Sequence, residues 1–160
     1  MFSIGIDPGI SGGICAIDAK NLEIVLLEDC PVYKTGAGKD YDIAAMAEIL
    51  RRVALKGPCV IILERAQAMP KQGVVGTFNF GRGYGIWLGI LGTLGIPYRT
   101  VRPSEWTGKV LKGMQGKGKN RAIQFVCQAF PGISLVPEGC RKIRDGRADA
   151  ACLAYYGVIV

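Results

Sequence analysis

The chain has 160 residues, with 20 Lys and Arg against 13 Asp and Glu, a formal charge of +7 and no histidine. The missing imidazole excludes Ser-His-Asp and Cys-His nucleophilic catalysis, the H-E-x-x-H zinc helix and phosphoryl transfer through histidine. At 49% apolar and 21% charged residues, the composition describes one globular domain over residues 1–160 with a single sizeable core.

The opening Met1-Phe2-Ser3-Ile4-Gly5-Ile6-Asp7 has no basic n-region and puts an acid where a signal-peptide core would lie, so a cytoplasmic protein is expected. The same segment reads as a strand from Phe2 to Asp7, followed by the turn Pro8-Gly9-Ile10-Ser11-Gly12-Gly13. Ile14–Ile17 and Glu23–Leu27 continue it as second and third strands, joined by Asp18-Ala19-Lys20-Asn21. Residues 31–39 read as a polar loop. Asp42 to Leu55 carries Ile43, Met46, Ala47, Ile49, Leu50 and Val53 at helical spacing and closes at Gly57-Pro58. The short β-branched run Cys59-Val60-Ile61-Ile62-Leu63, ending in Glu64, is expected as a central strand covered on both faces.

Residues 67–74 then form a loop, and a helix is expected from Val75 to Leu94. It includes most of the uncharged stretch Gly83 to Tyr98, which is broken by glycines, falls short of the ~18 apolar residues of a spanning helix, and reads as buried. No membrane partner is expected. Pro97–Val101 supplies one more strand, and Ala122–Ala129 and Ala148–Ile159 two more helices. The order predicts an α/β fold whose sheet is antiparallel at first and parallel later. The cysteines Cys15, Cys30, Cys59, Cys127, Cys140 and Cys152 are scattered without a C-x-x-C pair, so they read as thiols rather than a disulfide framework or zinc ribbon.

Asp7 and Glu64 end apolar strands, and Asp149 interrupts an otherwise apolar helix. A lone carboxylate in such a place must lose its charge or find a partner, whereas converging carboxylates can be neutralised together by divalent cations. Asp145 lies four residues before Asp149, on the same helical face, and reads either as a fourth ligand or as a helix cap. The alternative to a metal site makes Asp7 a strand-end cap and pairs Glu64 with Arg65 or another base.

Between Arg99 and Arg121 there are seven basic residues (Arg99, Arg102, Lys109, Lys112, Lys117, Lys119 and Arg121) and one acid, Glu105. The glycine-punctuated stretch Lys112–Lys119 suits phosphate contact without sequence readout. A solvated loop kept basic for solubility is the other reading. A basic surface beside metal-binding acids is what phosphodiester hydrolysis requires, because the surface holds the backbone while metal ions activate water. Phe78 and Phe80 are candidates either for stacking on unpaired bases or for the core.

The motifs Ile4-Gly5-Ile6-Asp7-Pro8-Gly9, Ile61-Ile62-Leu63-Glu64 and Asp145-Gly146-Arg147-Ala148-Asp149-Ala150, in this order and at this length, resemble the RuvC-type Holliday-junction resolvase family of the RNase H-like superfamily, in particular its phage-encoded branch. The resemblance implies a homodimeric endonuclease that cuts opposed strands of a four-way DNA junction, and other branched DNA, in the cytoplasm of the host cell. It implies two Mg²⁺ ions, or Mn²⁺ in their place, held by Asp7, Glu64, Asp145 and Asp149 roughly 4 Å apart. It assigns DNA contact to Lys109, Lys112, Lys117, Lys119 and Arg121, with Lys119 nearest the scissile phosphate, and the dimer contact to the helix at Val75–Leu94. Many bacterial members space their last two acids by three, against four here, and place an aromatic soon after the glutamate. Arg65-Ala66-Gln67-Ala68-Met69 has none, leaving Met69, Phe78 or Phe80 to open the crossover. Actin-like ATPases share the first motif but duplicate the domain, so no nucleotide cofactor is expected. A non-catalytic module that binds branched nucleic acid is the alternative function.

Overall fold

The computed structural model describes residues 1–36, 38–67 and 73–160. Met69 and most of the loop expected at 67–74 lie outside the described residues.

Among the described residues, seven strands and five helices follow one another as β1 (Phe2–Ile6), β2 (Gly13–Asp18), β3 (Glu23–Asp29), β4 (Val32–Thr35), β5 (Gly38–Tyr41), α1 (Ile43–Ala54), β6 (Cys59–Glu64), α2 (Val74–Leu94), β7 (Tyr98–Val101), α3 (Pro103–Val110), α4 (Lys119–Ala129) and α5 (Asp145–Ile159). Five strands form one sheet in the order β3-β2-β1-β6-β7, antiparallel from β3 to β1 and parallel from β1 to β7. The mixed sheet is as the sequence predicts. β1 occupies its centre, and β6 lies between β1 and β7, inside the sheet but one place from its edge.

Alternation along the strands sorts the apolar residues onto two faces. Ile4, Ile6, Ile14, Ala16, Ile61 and Leu63 pack with Met46 and Leu50 of α1 and Trp87 and Leu91 of α2. Cys15, Ile17 and Ile62 pack on the other face with α5, α4 and Trp106 of α3. The continuous Val60–Leu63 run therefore has partners on both sides, which is why it does not alternate.

Glycine sets how closely α5 lies on the sheet. A Cβ at Gly5 would fall on the backbone of Ala150 and Ala154, and one at Gly13 on the backbone of Gly146. Gly12 and Gly146 form an isolated bridge. Ser3 Oγ, fully buried, donates to the Ala154 carbonyl at 2.7 Å and fixes the helix further along.

Four expectations change. The segment read as a polar loop at 31–39 contains most of a second two-stranded sheet, the β4–β5 hairpin. Its base closes onto α1, whose first turn is capped by Asp42 accepting from the Ala45 N–H at 3.0 Å. The helix read as buried, α2, buries one stripe, Gly83, Trp87, Ile90 and Leu91, and leaves Val74, Val75 and Phe78 exposed. α3 was not expected at all; Pro103 starts it, and the Arg102 N–H donates to Glu105 at 3.2 Å. α4 begins at Lys119 and α5 at Asp145, each three residues earlier than their apolar stripes suggest.

Candidate active site

Parallel pairing sets Ile6 beside Leu63, so Asp7 and Glu64 leave neighbouring strands at the same end of the sheet. Strand alternation turns both toward the α5 face, because Ser3 and Gly5 meet α5 there and Ile62 packs with it. The start of α5 brings Asp149 to the same place. All three side chains are partly buried, and none makes an ion pair within 4.0 Å among the described residues.

Their electrostatics identify them as one cluster. Burial raises the Asp7 carboxyl above its usual range, opposed by the Gly9 N–H and by Lys119. Glu64 is pushed up to about 7, first by burial and then by the charge of Asp7, against a hydrogen bond from Trp106. Asp149 also rises to about 7 through burial, then Asp7 and Glu64, with Lys119 opposing. Like charges in a half-buried pocket resist ionising together, and a divalent cation removes that penalty.

Asp145 differs from the other three. It is the first residue of α5 and forms an ion pair with Lys119 of α4, while Arg144 occupies the N-cap position with no side-chain cap bond. The cap reading is therefore not realised. The alternative reading of Asp7 is realised in part, since its Oδ1 accepts the Gly9 N–H at 3.2 Å. Glu64 does not pair with Arg65; its Oε1 accepts the indole N–H of Trp106 at 2.8 Å.

Trp106 is the residue that sequence reasoning missed. It is 4% exposed and sits on α3 inside the basic segment, where a buried indole needs an acceptor. The signal was present as a Pro103 start followed by Glu105, a helix-opening pattern that puts Trp106 on the inward side of the first turn.

A recess of about 300 Å³ joins these parts, lined by Glu64, Trp106, Lys119, Arg121 and Asp149 among others. Lys119 thus stands between the acids and the basic segment, and Lys109, Lys112 and Lys117 are exposed beyond it. Phe78 is 67% exposed and Phe80 partly exposed near the start of α2, so neither belongs to the core.

The donor set fits a hard divalent cation, which prefers carboxylate oxygen. Among the described residues, no three acid or thiol side chains stand close enough to hold an ion as they are. All six cysteines are free thiols, and among the described residues no helix is long and apolar enough to cross a membrane.

The chain matches no protein-family model and no curated protein. It is similar to solved structures of Thermus thermophilus RuvC. One, in complex with a Holliday junction substrate, has 17% identity and a TM-score of 0.64 over 98% of this chain and 91% of that one. Another RuvC structure from the same organism has 18% identity and a TM-score of 0.62 over 98% and 92%. These likenesses show the fold, which is RNase H-like, as the three motifs implied.

Proposed function

We propose that this chain is a RuvC-type endonuclease that resolves Holliday junctions and other branched DNA by divalent-metal-dependent phosphodiester hydrolysis. The observation that carries the reading is the meeting of Asp7, Glu64 and Asp149 beside a basic surface, three half-buried acids raised first by burial, with Glu64 and Asp149 raised further by the charge of Asp7. The RuvC fold adds support, because one of the similar structures holds a junction.

Asp7, Glu64 and Asp149 would hold two Mg²⁺ or Mn²⁺ ions, with Asp145 as a further ligand once released from Lys119. Bound there, the ions supply an activated water and stabilise the charge that develops on the leaving oxygen. The protein's own part is positional. The Gly9 N–H fixes the Asp7 carboxylate, and the Trp106 N–H occupies one oxygen of Glu64 and leaves the other free. Lys119 pairs with Asp145, and with Asp145 held by a cation it would be free to meet a phosphate oxygen. Lys109, Lys112, Lys117 and Arg121 would hold the sugar-phosphate backbone without reading its sequence, and Phe78 and Phe80 would stack on bases opened at the crossover.

Opposed cuts on two strands need two active sites, and α2 is the surface proposed to join two chains. Its outward glycines Gly81, Gly85, Gly89 and Gly92 have nothing within 4 Å of where a Cβ would be, which leaves room for another backbone to approach. Sedimentation equilibrium at micromolar protein should give the mass of two chains. A single-chain mass would overturn the dimer. Incubation with a four-way junction and Mg²⁺ tests the activity itself, and junction binding without Mg²⁺-dependent products would favour the non-catalytic module.

A further inference from the structure

The β4–β5 hairpin has no part in the site described above, yet it is anchored beside it. The Tyr41 hydroxyl donates to the Pro8 carbonyl at 3.4 Å and lies 3.5 Å from the Asn79 carbonyl. The Asp42 N–H closes the base on the Pro31 carbonyl at 3.0 Å. Arg82 of α2 pairs with Asp40 and lies over the Tyr41 ring. Pro8 directly follows Asp7, so the hairpin's foot rests against the turn that carries the first acid.

The free part of the hairpin is built differently. Lys34 and Lys39 are cross-strand partners, so their side chains leave the same face of the ribbon. Both are exposed, and neither has an ion-pair partner among the described residues. Like charges directly opposite one another weaken a two-stranded ribbon that has little stability to spare. A shared anion removes that repulsion.

The surroundings extend the charge. Lys39 lines a recess with Ile10, Ser11, Asp29 and Arg144. The one acid in it, Asp29, is engaged by Arg147 at 2.6 Å and reached by Arg144 at 4.0 Å. Exposed Arg141 and Lys142 precede Arg144 in the chain. The hairpin and Lys119 stand on different faces of the sheet: Tyr41 at the hairpin's end packs with α1 and α2 on one face, and α4 packs beside α5 on the other.

We propose that the β4–β5 hairpin, through Lys34 and Lys39, grips the phosphate backbone of a second duplex arm, distinct from the arm held by the Lys109–Lys119 segment. Lysine acts here as a point charge on a flexible stem, which suits backbone contact rather than base readout. The inference rests on the branched-DNA reading above, and it adds a reason for that selectivity: basic surfaces on both faces of the sheet are each served by a separate arm of a branched substrate.

The test is fluorescence anisotropy of a labelled four-way junction and a linear duplex, in EDTA over a series of salt concentrations, with the unsubstituted protein and with Lys34→Gln/Lys39→Gln. For the junction, the double variant should bind about tenfold more weakly, and its plot of log K against log salt should be shallower by about 2. The linear duplex should lose less, with the melting temperature no lower than that of the unsubstituted protein. Unchanged junction affinity and salt slope would overturn the hairpin contact, and an equal loss on the duplex would overturn its assignment to a separate arm. Acetylation of the unsubstituted protein, read by mass spectrometry, asks the same question without a substitution: junction should protect Lys34 and Lys39, and full reactivity would overturn the proposal. If the unsubstituted protein binds no junction, the branched-DNA reading fails and the hairpin inference fails with it.

Discussion

The indole N–H of Trp106 donates to Glu64 Oε1 at 2.8 Å, tying α3 to the end of β6 at the point where the acids converge. Trp106→Phe keeps most of the packing and removes only this donor. A hydrogen bond to a charged group contributes about 1.5–3 kcal/mol, so cutting should fall roughly tenfold or more and require more Mg²⁺, while junction binding in EDTA stays the same. A Mg²⁺ titration of both proteins checks this; superimposed curves would remove Trp106 from the site.

Glu64→Gln keeps the shape and the Trp106 contact but removes a ligand charge. Cutting should be abolished and junction affinity in EDTA kept. Retained cutting by a pure preparation would rule out Glu64 as a metal-binding acid.

The carboxyls of Glu64 and Asp149 are raised to about 7 in the metal-free protein, so between the ordinary carboxylate range and pH 7 the folded chain binds more protons than the unfolded one. Stability must then fall as pH rises through this window. In EDTA the melting temperature should drop between about pH 5 and about pH 8, and Mg²⁺ should raise it more at the upper end, where the acids are ionised. Asp149→Asn should flatten the EDTA profile. A melting temperature that climbs with pH in EDTA would contradict the clustering of the acids.

At Gly5, α5 packs on β1 with no room for a side chain. In Gly5→Ala the new Cβ would collide with the backbone of Ala150 and Ala154 and with Leu153, costing about 1–3 kcal/mol and shifting Asp149 relative to Asp7. Gly108→Ala, a helical position with nothing within 4 Å of the added carbon, should instead be stabilising by up to about 1 kcal/mol. Thermal melts of the two variants should move in opposite directions.

The acids were legible because each breaks an apolar pattern: Asp7 and Glu64 end strands, and Asp149 sits within a helix that is buried along much of its length. What escaped the sequence lacks such a pattern. Residues of the β4–β5 hairpin are mostly exposed, Tyr33 and Lys34 on one strand facing Asp40 and Lys39 on the other, so no alternation marks it. α3 is short, polar and interrupted by Gly108, and only Trp106 and Val110 are buried. α2 was misjudged for the opposite reason. It is apolar nearly all round, so composition could not separate Trp87, which is buried, from Phe78, which is not.

The most direct test of the central claim is incubation of the protein with an end-labelled four-way junction and a matched linear duplex, in Mg²⁺ or in EDTA, with products read on a denaturing gel. Paired incisions on opposed strands of the junction, absent from the duplex and lost in EDTA, are the expected result. A junction that is bound in a gel shift but left uncut at every Mg²⁺ and Mn²⁺ concentration would contradict it, and would leave Asp7, Glu64 and Asp149 without the role proposed for them.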